Sequence, residues 1–356
     1  MANTFKTFTN SDIATTRTLL HEAIPITGTI VSGTYVDDSN IKTFSHGMFE
    51  SVYDYPYLSS SANHIFDITA GYSAKSPMFS EPNAIQNSKK VNIYNQHAQM
   101  LYGYDTTGSV REFDTDGNIV DGGDVMRQCF FFNFARLLSK DEIKKDSFRL
   151  SMYSTASHVT SSDTHCAGLR TIGDYGAASE YKVNSPSGEY GLLYTGSAAA
   201  DKSTVIGHVY YQAGIAVITA SFFSGAFADP SGPGAQRRDG TMQVNDQFTG
   251  STITELANAL RFNIDNIQFN NTTELNSTIY FCRANTQDYN YSSNPSYLAE
   301  SKIIVKNNNP KADPVSYITT IGLYSADNEL LAVAKLSEPL KKTPSNELTL
   351  RVRLDY

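Results

Sequence analysis

The stretch Val315–Tyr356 constrains the fold most. It reads VSYITTIGLYSADNELLAVAKLSEPLKKTPSNELTLRVRLDY, three strand-like runs separated by turn signals. In the last run Leu348, Leu350, Val352 and Leu354 share one face, and Glu347, Thr349, Arg351 and Arg353 share the other. Strict period-two alternation belongs to a strand with one apolar and one wet side. Upstream, Tyr317 to Tyr324 and Leu330 to Leu336 flank Ser325-Ala326-Asp327-Asn328, the composition of a short hairpin turn. No residue pattern in this stretch suggests chemistry.

Much of the remaining chain has the same bias. Cys129 to Leu138 is a near-continuous apolar run and predicts a strand covered on both faces. Phe148 to Tyr153 alternates. His208 to Phe223 reads as two strands joined at Gly214, or one long bent strand. Ile267 to Phe281 reads as a hairpin turning at Asn270–Thr273. Four helices are expected: Ser11 to about Glu22; about Asn83 to Leu101, with Val91, Tyr94, Ala98 and Leu101 at helical spacing; a short one opening at the capping box Ser139-x-x-Glu142; and one opening at Thr252-x-x-Glu255 and running to about Arg261. Ser154–Gly196, small and polar, and Asp229–Gly240, rich in Gly, Pro and charge, are expected as loops. The expected fold is mainly β, with sandwich-like sheets, a few short helices and long loops at about 154–200 and 229–250. Residues 1–80 are expected as an N-terminal assembly segment and 81–356 as a composite β-rich domain.

At 356 residues the chain can bury a sizeable core without metals or disulfides. Its net charge of −8 disfavours a nucleic-acid backbone as direct partner. Its three cysteines, Cys129, Cys166 and Cys282, are odd in number and far apart, which is no disulfide framework and fits synthesis in a reducing compartment. The opening MANTFKTFTNSD has no apolar signal core. No apolar run reaches the about 18 residues of a membrane-spanning helix, so membrane insertion is not expected.

Candidate chemistry is sparse. Asp114-Thr115-Asp116-Gly117-Asn118, followed by Asp121 and Asp124, offers hard oxygen ligands of the kind calcium takes. The helix–loop–helix calcium motif needs Gly sixth and Glu twelfth, and Ile119 and Val125 stand there, so a tight turn at Asp116-Gly117 is favoured. His158, His165 and Cys166 match no metal or dyad spacing; the histidines read as polar loop residues and Cys166 as a small half-buried cysteine. GxSxG, GxxxxGK and a strand-linked GxGxxG are absent. No catalytic residue, cofactor or metal is therefore expected. Arg237-Arg238, the only paired arginines, suit an acidic partner, although a solvated loop is the default. With Tyr324, Arg351 and Arg353 they complete the interaction candidates. The 22 Tyr and 19 Phe suit interfaces and half-buried strands alike.

Four blocks carry a resemblance. KKVNIYNQHAQMLYGYDTTGSVREFDTDGNI (89–119), QCFFFNFARLLSKDEIKKDSF (128–148), YSSNPSYL (291–298) and the tail from Val315 resemble virion structural proteins of large contractile-tailed bacteriophages of the cyanophage type. The motif IGLYSADNELLAVAKLSEPLKK is similar to a hairpin module of phage tail and fibre proteins. The resemblance implies a non-enzymatic virion component, made and assembled in the host cytoplasm, self-associating symmetrically and contacting other virion subunits. Tail or baseplate is the favoured station. A capsid or neck component, or a receptor- or glycan-binding adhesin of the tail, are the alternatives.

Overall fold

A computed structural model describes residues 5–25, 38–79, 85–119, 123–160, 163–196, 202, 204–223, 244–292, 295, 298–299, 302–303 and 315–356. The described strands are β1 (Ile13–Pro25), β2 (Ile41–Thr43), β3 (Glu50–Tyr53), β4 (His64–Tyr72), β5 (Phe113–Asp114), β6 (Val125–Met126), β7 (Gln128–Phe134), β8 (Glu142–Ile143), β9 (Arg149–Thr160), β10 (Asp163–Gly173), β11 (Lys182–Ser185), β12 (Gly188–Thr195), β13 (Val205–Tyr210), β14 (Ile215–Thr219), β15 (Ile264–Ala284), β16 (Leu298–Ala299), β17 (Lys302–Ile303), β18 (Ser316–Tyr324), β19 (Leu330–Lys342) and β20 (Leu348–Asp355). The helices are α1 (Ile85–Leu101), α2 (Arg136–Ser139), α3 (Ala177–Glu180), α4 (Val244–Gly250) and α5 (Ile253–Asn263). The chain is mainly β, built on antiparallel pairing, as its residue pattern predicts.

Two compact units form, residues 20–273 and residues 1–19 with 274–356. This division differs from the expected boundary after residue 80, because β3 and β4 pair into the same sheet as β7.

In the larger unit the strand order is β15-β9-β10-β12-β13-β14-β7-β4-β3-β2, with β11 on β12 and β8 on β15. Strand β7 shows why this sheet has two cores. Phe130, Phe132 and Phe134 join a cluster with Phe248 of α4 and Leu256, Ala257 and Leu260 of α5. The intervening Cys129 and Phe131 join a second cluster with Ile93, Tyr94, Ala98 and Leu101 of α1. Successive strand residues face opposite sides, so an unbroken apolar run requires cover on both. Gly71 in β4 makes room for α1: a Cβ there would lie 2.5 Å from the Lys90 carbonyl oxygen and 2.9 Å from the Tyr94 nitrogen.

Helix α5 starts as expected. Thr252 Oγ1 accepts from the Glu255 amide at 3.2 Å, and Glu255 Oε2 accepts from the Thr252 amide at 2.6 Å. Strands β13 and β14 pair across the turn before Gly214, which adopts φ +66°. Helix α1 covers the described part of the expected 83–101 segment.

Four expectations are corrected. The expected helix at 11–22 is strand β1: Thr15, Thr16 and Thr18 are β-branched, and the edge of β15 offers backbone partners. The Ser139–Glu142 capping box does not form. A one-turn helix ends at Ser139, and Glu142–Ile143 pairs with Thr272–Asn271, which buries Ile143 fully. The turn expected at Asn270–Thr273 is continuous strand, because β8 uses that backbone and Asn271 Nδ2 donates to the Leu138 carbonyl at 2.9 Å. Much of Ser154–Gly196 is strand, not loop: β9 and β10 pair from Arg149↔Gly173 to Thr160↔Asp163. Small polar side chains hide a ladder made by backbone groups. The Asp229–Gly240 loop lies outside the described residues.

Candidate interaction site

The smaller unit holds the candidate site. Strand β20 pairs antiparallel with β15 from Leu348↔Ala284 to Asp355↔Ser277. Its alternation is realised: Val352 is buried, Leu348, Leu350 and Leu354 are half-buried, and Thr349, Arg351 and Arg353 are exposed. Strands β18 and β19 form a separate two-stranded sheet, closed by a turn in which Asn328 takes φ +65° and donates its amide to the Ser325 carbonyl at 3.1 Å. Extra residues bulge from β19 between Lys335 and Leu340, where Pro339 sits. Tyr317, Tyr324, Leu330, Leu331 and Val333 on this hairpin are exposed.

Beneath the hairpin lies a cavity of about 660 Å³, with Phe281, Tyr289, Tyr317, Leu323, Tyr324 and Leu350 in its wall. That size and aromatic lining suit a small-molecule or peptide side-chain site. Tyr289 is presented by a fixed loop and takes φ +56°, unusual for a bulky residue. Ser316 Oγ donates to its carbonyl at 2.5 Å. The fully buried Lys342 ammonium donates to Asn290 Oδ1 at 2.9 Å and to the Thr343 and Thr286 carbonyls at 2.8 and 3.2 Å. Two of its three protons thereby tie the loop to the end of β19, and the third goes to the adjacent Thr343 carbonyl.

Asp12 is the carboxylate of the cavity wall. It accepts from the Thr9 hydroxyl at 2.7 Å, the Thr9 amide at 3.0 Å and Arg283 Nε at 2.6 Å. The Thr9 hydrogen bonds, with Arg283 adding, hold its carboxyl down at about 2. Burial pushes the Cys282 thiol up, and the Asp12 charge adds to this. Both effects leave the wall with an ionised clamp and an unreactive thiol.

The segment Phe5–Thr9 covers part of this cavity. Phe5 packs on Tyr324 at 4.6 Å between ring centroids, and Phe8 on Tyr280 at 5.4 Å. Lys6 Nζ lies 2.5 Å from Asp288 Oδ2, which lowers the Asp288 carboxyl. The two rings stay 41% and 37% exposed. Their burial stabilises by roughly 2–4 kcal/mol, and the ring contacts add about 1–3. An exposed ion pair adds little. Ordering five backbones costs about 5–10 kcal/mol, so docking of the segment is close to balance.

Of the expected interaction residues, Tyr324 is at the cavity. Arg351 and Arg353 are exposed, on the opposite face of β20 from Leu350; Arg353 is occupied by Asp355 Oδ1 at 2.6 Å and Ser277 Oγ at 3.0 Å. Arg237 and Arg238 lie outside the described residues. Phe5, Phe8, Tyr289 and Lys342 were not legible as site residues. The spacing Phe5-Lys6-x-Phe8 was the available signal.

Two other places were candidates for chemistry. Asp114 opens the β5–β6 hairpin: its Oδ1 accepts from the Asp116 amide at 3.0 Å, Asp116 Oδ1 accepts from the Asn118 amide at 2.7 Å, and Gly117 takes φ +70°. This is the turn geometry expected of Asp-Gly. No group of three or more His, Cys, Asp or Glu among the described residues is placed to hold a metal ion. On β9 and β10, His158 stands opposite Thr164 and His165 opposite Ser157, so the two histidines are not cross-strand partners. In the larger unit the fully buried Asp174 accepts from the Asp146 and Phe148 amides, Arg149 and Tyr211. Burial pushes its carboxyl up to about 7 against those donors, and its hydrogen bonds fix the 146–149 turn. No helix among the described residues is long and apolar enough to cross a membrane.

Compared with protein-family models, curated proteins and solved structures, the chain matches none.

Proposed function

We propose that the chain is a non-enzymatic structural subunit of a phage particle, in its contractile tail or baseplate, acting through contacts with neighbouring subunits. The phage assignment rests on the four resembling sequence blocks. One observation in the molecule supports a contact role: the β18–β19 hairpin, a sheet of two strands among the described residues, exposes Tyr324, Leu330 and Val333 near its turn and also Tyr317 and Leu331. A lone two-stranded hairpin is marginal in water, and clustered exposed apolar side chains mark interaction surfaces. A neighbouring subunit that covers them would stabilise both. Symmetry repeats each such contact, so weak interfaces add up. A capsid or neck position is the alternative station.

A cryo-EM map of the intact particle tests this reading. The expected result is many symmetric copies in the tail or baseplate, with the hairpin against a neighbour. Absence of the chain from purified particles overturns it. The aromatic-walled cavity favours a second reading, a receptor- or glycan-binding adhesin, and specific binding of the isolated protein in a glycan screen would favour that reading instead.

A further inference from the structure

The segment Phe5–Phe8 forms part of the cavity wall, and its side chains show what the surface beside the cavity accepts. It brings an aromatic ring to Tyr324, a second to Tyr280, and between them a cation to Asp288. No backbone hydrogen bond joins residues 5–8 to a strand among those described; their hold is side-chain contact alone. Phe5 and Phe8 remain partly exposed, so release strips little from the core. The next fixed point in the chain is the turn where Asp12 binds Thr9 and Arg283. Residues before that turn can leave while the turn stays.

We propose that Phe5–Phe8 is an exchangeable arm, and that the surface it docks on beside the cavity accepts the same arm of a second copy of this chain. This rests on the assembly reading above. A contact made within one chain can be made identically between two, because complementarity of shape and charge is unchanged. Release costs little where docking is near balance. At the high local concentration of a symmetric assembly the intermolecular contact is favoured.

Charge reversal tests it. Lys6→Glu mismatches the ion pair within its own chain, and Asp288→Lys does the same in another chain. In a mixture, both intermolecular contacts are matched. Lys6 is exposed, and its variant should melt close to the parent. Asp288 is half-buried and also accepts from the Asn285 amide, so Asp288→Lys should lower the melt by no more than a loop contact does. Native mass spectrometry of the mass-tagged mixture should find mixed pairs at least about tenfold above like pairs. Adding Phe5→Ala and Phe8→Ala to both chains should abolish the excess. A statistical mixture, or a mixture that stays monomeric at concentrations where the parent pairs, overturns the exchange. A parent chain that remains monomeric at every concentration overturns it as well. If the parent self-associates without mixed-pair preference, exchange fails while the assembly reading stands. The particle map decides that reading separately.

Discussion

The Lys90 ammonium donates to the carbonyl oxygen of Phe248 at 2.6 Å and to that of Ser251 at 2.5 Å. Lys90 is fully buried on α1, and its charge meets the carbonyl end of α4. Orphan carbonyls at a helix C-terminus need donors, and a cation there is favoured. Burial lowers the ammonium to about 8, opposed by Glu255.

Lys90→Met should therefore destabilise the larger unit by about 2–4 kcal/mol, since it strands two buried acceptors. The neighbouring Lys89 is half-buried, and its ammonium donates to the His46 carbonyl at 2.7 Å on the solvent side, so Lys89→Met should cost only about 1 kcal/mol. Urea titrations of both variants check the contrast, and equal midpoints would contradict it.

Gly71 should be intolerant. Its added Cβ meets backbone atoms of α1, which cannot swing away as a side-chain end can. Gly71→Ala should cost about 3 kcal/mol or more through overpacking. Gly108 has open space but φ +81°, so Gly108→Ala should cost only about 1–2 kcal/mol of backbone strain. Thermal melts would rank the two.

His208 should make the fold acid-sensitive. It is fully buried among Tyr102, Tyr190, Tyr210 and Phe113, and burial lowers its imidazole to about 4. Its carbonyl acceptor, Thr115, opposes that shift. The unfolded chain binds the proton near 6.5 and the folded chain only near 4, so stability falls as pH drops across that window. The loss approaches about 3 kcal/mol. His208→Phe should remove this contribution. Denaturant midpoints at pH 7.5 and 4.5 should then differ less than in the parent, and an unchanged difference would exclude His208 as its source.

Strand β20 should respond by face. Val352→Asp puts a carboxylate at a buried position and should cost several kcal/mol. Arg351→Ser, on the exposed side, should stay within about 0.5 kcal/mol. Comparable losses in calorimetry would mean that the outer face is covered too.

Whatever repeats at short range was legible in the sequence. The alternation of 348–354, the continuous apolar run at 129–134, the Thr252–Glu255 cap and the turns at Asp116-Gly117 and Ser325–Asn328 are written in neighbouring residues, and each forms. What depended on distant partners was not. Thr15–Leu20 became strand only because β15 offers an edge, and Glu142–Ile143 only because Asn271–Thr272 does. Lys90 looks like its half-buried neighbour Lys89 until α4 ends above it. The cavity joins residues 5–8 to residues 281–324, nearly three hundred positions apart in sequence. Local patterning encodes which face a residue prefers. Which edge, helix end or cavity meets that face is settled only when long-range packing supplies the partner whose hydrogen bonds and apolar surface offset the loss of chain entropy.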